Sequence, residues 1–173
     1  KISFANMIGE ICHNTGIGSE VDTVLSAIGN DSRIGNKYLN YGFGFGGPCL
    51  PRDNRALGIH AEKMGLVLNL PIAIDQFNIE HHKYLVNKYV REYPDRDTTF
   101  VFNTVTYKKG TDQLTESQQL NLLLSLLSEG YNCVVIDIDK VIEKLKGPLE
   151  YTWGDKIKFQ QIGTFADGVK IIL

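Results

Sequence analysis

Cys49 stands in the run GFGFGGPCLPRDNRAL, after Gly42, Gly44, Gly46 and Gly47 and between Pro48 and Pro51. Pro51 suits the first position of a helix, where its missing N–H is not needed. That makes Leu50 the cap and places Cys49 just before it. A thiol there meets the positive end of the helix dipole and the unpaired amides of the first turn. Both favour thiolate, the form that attacks electrophilic carbon. Asp53 follows four residues later, about one turn or roughly 6 Å along the axis. A carboxylate at that spacing can hold or activate a water. It also opposes thiolate formation, so its place is in a later step. The glycines let backbone amides close on a ligand. Without a Lys-Ser or Lys-Thr ending, the run is not a phosphate-binding P-loop. A plainer reading stands beside this one: a lone cysteine is most often a small buried apolar residue.

The other candidates for chemistry are weaker. Cys12 falls on an apolar helix face and Cys133 in an apolar strand, so both read as core. His81 and His82 are neighbours on a helix, pointing about 100° apart. They read as surface residues and poor joint metal ligands. His13 and His60 have no acidic or histidine partner at ligand spacing, and no metal site is expected.

The elements that must hold Cys49 follow from periodicity. Residues 2–14 are apolar at helical spacing and stop at Asn14-Thr15-Gly16. Ser19 and Asp22 have the spacing of a capping box, followed by a helix through Val21, Val24, Leu25 and Ile28. A helix from Pro51 runs to Gly65, and a longer one covers 71–93. Pro94-Asp95-Arg96-Asp97 reads as a boundary. Beyond it come a strand over 98–105, a helix over 114–127, a strand over 133–138 and a helix over 138–145. Further strands are expected at 157–162 and 169–173. Strand-helix-strand implies a parallel sheet covered by helices. The expected fold is α + α/β: an all-helical domain over 1–93, then a Rossmann-like domain with a mostly parallel sheet over 97–173.

A formal charge of −2 gives no reason to expect nucleic acid or an anionic membrane surface. No apolar run approaches the roughly 20 residues a membrane span needs. Three widely spaced cysteines, none in a CxxC pair, fit a reducing compartment, and a cytoplasmic location is expected. The opening at Lys1 inside a helical pattern and the apolar close suggest a piece of a longer protein.

Three blocks together carry a family resemblance. KISFANMIGEIC with AIGNDSRIGNKYL comes first, then GFGFGGPCLPRDNRAL, then YKKGTDQLTES over 107–117. In order and spacing they resemble the UDP-glucose/GDP-mannose dehydrogenase family, the NAD-dependent nucleotide-sugar 6-dehydrogenases. The resemblance implies the family's central and C-terminal domains only, with NAD held by an N-terminal domain that this chain lacks. It implies a UDP-sugar substrate and a homodimer through the central helices. It also implies that Cys49 captures an aldehyde as a thiohemiacetal, later a thioester, and that Asp53 assists the water that releases the carboxylate. Arg33 matches an arginine that reaches the neighbouring subunit's substrate. Lys37, Tyr38 and Leu39 lead into the loop of Phe45, Gly46 and Gly47 that closes on the sugar nucleotide. Tyr107 and Lys108 match an aromatic–lysine pair that contacts the nucleotide sugar.

The chain also departs from the pattern. Thr115 replaces an arginine associated with the NAD phosphates, Thr104 a glycine, and Pro48 a serine, alanine or tyrosine. Two alternatives follow. One is a relative acting on GDP-mannose or a UDP-N-acetylhexosamine; the other is a non-catalytic dimeric module that binds sugar nucleotides.

Overall fold

In the computed structural model, which describes residues 1–171, the chain forms two compact units. The first comprises Lys1–Phe45 and Asp53–His81; the second comprises Gly46–Arg52 with residues 82–171. Among the described residues, no helix is long and apolar enough to cross a membrane.

The first unit is helical. α1 (Ile2–Asn14) and α2 (Val21–Gly29) place Ala5, Cys12, Val21 and Leu25 in one core with Leu39. Ile8, Val24, Ile28 and Tyr41 pack around it. Gly9 lets the Tyr41 ring lie directly on α1, because a Cβ there would come within 2.0 Å of it. The expected Ser19–Asp22 capping box does not form. Residues Gly18–Glu20 wind into a 3-10 turn that feeds α2, and the Glu20 cap makes no side-chain bond.

Two helices run on from one unit into the other, α3 (Leu50–Lys63) and α4 (Asn69–Glu92). α3 begins one residue earlier than Pro51 implies, so Cys49 itself occupies the cap position. Met64 and Gly65 (φ 73°) then end it in a turn.

The second unit is a four-stranded, all-parallel sheet in the order β3-β2-β1-β4. Its strands are β1 (Thr99–Phe102), β2 (Asn132–Asp137), β3 (Ile157–Gln161) and β4 (Val169–Lys170). α5 (Gln118–Ser128) connects β1 to β2, and α6 (Asp139–Trp153) connects β2 to β3. β1 pairs Phe100 with Cys133 and Val101 with Val134. Phe100 is fully buried, with Tyr131, Tyr89 and Tyr93 set edge-on around its ring. This is the α/β texture that the β-branched runs imply.

Three boundaries shift for physical reasons. β1 stops at Phe102 because Thr104 and Val105 turn away to bond Asp137. α5 starts at Gln118 because the Ser117 hydroxyl accepts the Leu120 N–H and caps it. α6 continues past Leu145 to Trp153 with Pro148 inside it, leaving the carbonyl four residues back without its usual donor. Of the strand expected at 169–173, residues 172 and 173 lie outside the described residues.

Candidate functional site

The strand order reverses between β1 and β4, and in open parallel sheets the crevice at the strands' carboxyl ends near such a reversal is the usual place for a ligand. The segment leaving β1 there is 103–117, which carries Tyr107 and Lys108. Thr106 and Thr111 close it by donating their hydroxyls to the Lys108 carbonyl, at 3.0 and 2.8 Å. The Tyr107 N–H donates to the Gln113 carbonyl at 3.2 Å. The Lys108 side chain is exposed and Tyr107 half-buried.

Gly46 and Gly47 lie against this segment, inside the second unit. The Gly47 N–H donates to the Thr115 carbonyl at 3.0 Å. A Cβ on Gly47 (φ 85°) would sit 2.6 Å from the Tyr107 ring, and one on Gly46 would sit 2.3 Å from the Glu116 carbonyl oxygen. Glu116 itself is held at φ 48°, a strained value for a non-glycine residue. Tyr107, Gly46 and Gly47 are therefore brought together, and only side-chain-free backbone fits. Substituting Gly46→Ala is expected to destabilise the second unit by about 1–3 kcal/mol through overpacking against backbone. The check is urea denaturation followed by Trp153, the chain's single tryptophan, which lies in that unit. Gly147→Ala, inside α6 with open space around it, serves as the control and is expected to hold or raise stability.

Cys49 is exposed, at the cap of α3. The other two thiols are buried, and burial pushes that of Cys133 up to about 12. The core reading of Cys12 and Cys133 therefore holds, and Cys49 is the thiol open to a substrate.

The remaining expected residues lie in the first unit. Asp53 is exposed on α3. Arg33 is highly exposed and grips Asp31, with Nε to Oδ1 at 3.0 Å and Nη2 to Oδ2 at 2.5 Å. That guanidinium holds the Asp31 carboxyl below its usual range. Lys37 and Tyr38 are exposed, and Tyr38 adopts φ 66°, a second strained non-glycine backbone. Leu39, between Tyr38 and the glycine run, turns inward. Its side chain is buried in the helical core beside Leu25. Phe45 is likewise buried.

Several residues emerge that the sequence reading passed over. Asn78 bonds both backbone groups of Phe45, and Asn6 bonds Gly42 and Phe43. His81 is 1% exposed, which corrects its reading as a surface residue. Asp137, at the carboxyl end of β2, is buried and accepts from Thr104, Val105 and Ile138. The available signal was a polar residue on an otherwise apolar face or strand.

A dinucleotide needs a glycine-rich turn from a strand into a helix N-terminus. Here β2 passes straight into α6 through Ile138, and β1 leads into the closed 103–117 segment. The described residues do not fit NAD.

Residues 1–80 match the model of the UDP-glucose/GDP-mannose dehydrogenase family, central domain. The chain is 33% identical over 132 residues to the UDP-glucose 6-dehydrogenase of Pseudomonas aeruginosa, covering 75% of this chain and 29% of that protein. It is 41% identical over 88 residues to UDP-glucose 6-dehydrogenase TuaD of Bacillus subtilis, covering 51% of this chain and 19% of that protein. A solved UDP-glucose dehydrogenase from the archaeon Pyrobaculum islandicum superposes with a TM-score of 0.77 at 30% identity, over 91% of this chain and 35% of that one. The chain thus spans less than a third of the length of these two curated relatives. The matches place it in the UDP-glucose/GDP-mannose dehydrogenase family, with residues 1–80 as the central domain.

Proposed function

We propose that this chain is the substrate-binding and dimerisation part of a nucleotide-sugar 6-dehydrogenase that oxidises UDP-glucose to UDP-glucuronate. Residues 1–93 serve as the dimerising, substrate-binding domain, and 97–173 as the domain that holds the nucleotide sugar. The observation that carries this reading is the exposed Cys49 thiol at the cap of α3, straight after backbone that must stay free of side chains.

In this reading the Cys49 sulfur adds to the aldehyde carbon of the substrate, and the carbonyl oxygen takes a proton to give a thiohemiacetal. The family's members are NAD-dependent dehydrogenases, and the two-electron oxidation belongs to that cofactor. In this reading a domain outside this chain holds it. At the thioester stage, water adds to the acyl carbon and the carbon–sulfur bond breaks. The thiolate leaves and a carboxylate forms, with Asp53 accepting the proton of the attacking water. Gly46 and Gly47 present backbone to the sugar nucleotide, and Tyr107 and Lys108 flank its nucleotide sugar. Arg33, Lys37 and Tyr38 complete the contacts, Arg33 toward the partner subunit's substrate through a fork suited to phosphate or sugar oxygens.

A homodimer through the central helices is part of this reading. It is supported by apolar side chains left uncovered on α3 and α4, among them Leu57, Ile72 and Ile79.

Calorimetric titration of the chain with UDP-glucose and GDP-mannose tests the substrate. UDP-glucose is expected to bind at least about tenfold more tightly, a difference of about 1.4 kcal/mol. Equal or reversed preference overturns the choice of substrate.

A further inference from the structure

The first half of the glycine run is free of a ligand's help in holding its shape, because buried side chains occupy its backbone. The Gly42 N–H donates to Asn6 Oδ1 at 2.9 Å, and Asn6 Nδ2 donates to the Phe43 carbonyl at 3.3 Å. At Phe45, the N–H donates to Asn78 Oδ1 and the carbonyl accepts from Asn78 Nδ2, both at 2.9 Å. Gly44 makes room for that amide, since a Cβ there would lie 2.1 Å from Asn78 Oδ1. His81 Nε2 lies 2.7 Å from the Gly42 carbonyl, and Nδ1 lies 2.6 Å from a Glu10 carboxylate oxygen. Phe77 stacks on the imidazole and Tyr41 meets it edge-on. Asn6, Asn78 and His81 are 1%, 7% and 1% exposed.

Such a set is costly to bury unless it is satisfied, and here every partner but the Glu10 carboxylate is a backbone group of one four-residue segment. Five of its backbone polar groups are taken: the N–H and C=O of Gly42, the C=O of Phe43, and the N–H and C=O of Phe45. Both imidazole nitrogens therefore have a hydrogen-bond partner. We propose that Asn6, Asn78 and His81 are positioning residues, a buried polar clamp that fixes the backbone of 42–45 and so delivers the following glycines to the sugar nucleotide in one conformation. The clamp stands on geometry alone; its role in delivery rests on the proposed function.

Amide exchange by NMR on the 173-residue chain tests it. In Asn78→Ala the Phe45 amide is expected to exchange at least about tenfold faster while the β1 and β2 amides keep their rates. In Asn78→Asp, which keeps the acceptor for the Phe45 N–H but turns a second oxygen toward the Phe45 carbonyl, an acceleration smaller than in Asn78→Ala is expected. If Asn78→Ala fails to fold, Asn6→Ala read at the Gly42 amide serves the same purpose. A Phe45 amide unchanged in Asn78→Ala, or accelerated only in step with the sheet, overturns the clamp. UDP-glucose binding is expected to weaken at least tenfold in Asn78→Ala and less in Asn78→Asp. Absence of binding by the unsubstituted chain overturns delivery and the substrate reading together, and leaves the clamp to the exchange data.

Discussion

Replacing Cys49 by alanine in the full-length protein is expected to lower kcat for carboxylate formation from UDP-glucose by at least about a thousandfold, with substrate affinity nearly unchanged. The asymmetry follows from what the thiol does. It makes its covalent bond only after the sugar is bound, so its loss removes stabilisation of the reacting state and little of ground-state binding. Cys49→Ser is expected to fall almost as far, because a hydroxyl is a weaker nucleophile at neutral pH than a thiol at a helix cap. The chain itself permits a direct check of the premise. Cys49 is exposed while Cys12 and Cys133 are buried, so one thiol per chain should alkylate rapidly and two slowly. Turnover by Cys49→Ala within about tenfold of the parent would remove the nucleophile from the proposed mechanism.

The features legible in the sequence are those governed by local periodicity. α1 shows at its full extent because its apolar positions recur at helical spacing and Asn14-Thr15-Gly16 ends them. The parallel sheet shows because β1 and β2 are apolar runs separated by one leucine-rich helix. Cys49 stands out for the same reason: Pro51 announces a helix start, and the position before a start has known electrostatics.

Features that depend on distant partners were not legible. Ile74, Asn78, His81 and Leu85 recur at helical spacing along one face of α4, and the last three are buried. An asparagine and a histidine on such a stripe read as a break in the apolar pattern. Their partners, Phe45, Gly42 and Glu10, lie 33 to 71 residues away in sequence. The burial of Leu39 was equally out of reach. It adjoins exposed Lys37 and Tyr38, yet the strained backbone at Tyr38 precedes a side chain that enters the core.

The same distinction accounts for Thr104, which stands where the family pattern has glycine. Its hydroxyl donates to Asp137 Oδ2 at 3.0 Å, beside the Val105 N–H at 2.9 Å on the same oxygen, while Oδ1 accepts the Ile138 N–H at 2.8 Å. A carboxylate 3% exposed at the end of β2 thus ties together the ends of two neighbouring strands. A glycine at 104 would leave that oxygen one donor short. Asp137→Ala strands more than the carboxylate, because Val105 is fully buried and its N–H then has neither this partner nor water. The expected loss is about 3 kcal/mol from the second unit. Asp137→Asn keeps one acceptor oxygen but turns an amide donor toward another donor, and about half that loss is expected. Urea midpoints followed through Trp153 report on this unit and order the variants: parent, then Asn, then Ala. A midpoint for Asp137→Ala within about 0.5 kcal/mol of the parent would show that the 103–117 segment takes its shape from elsewhere, and that the threonine at 104 has no structural reason to be there.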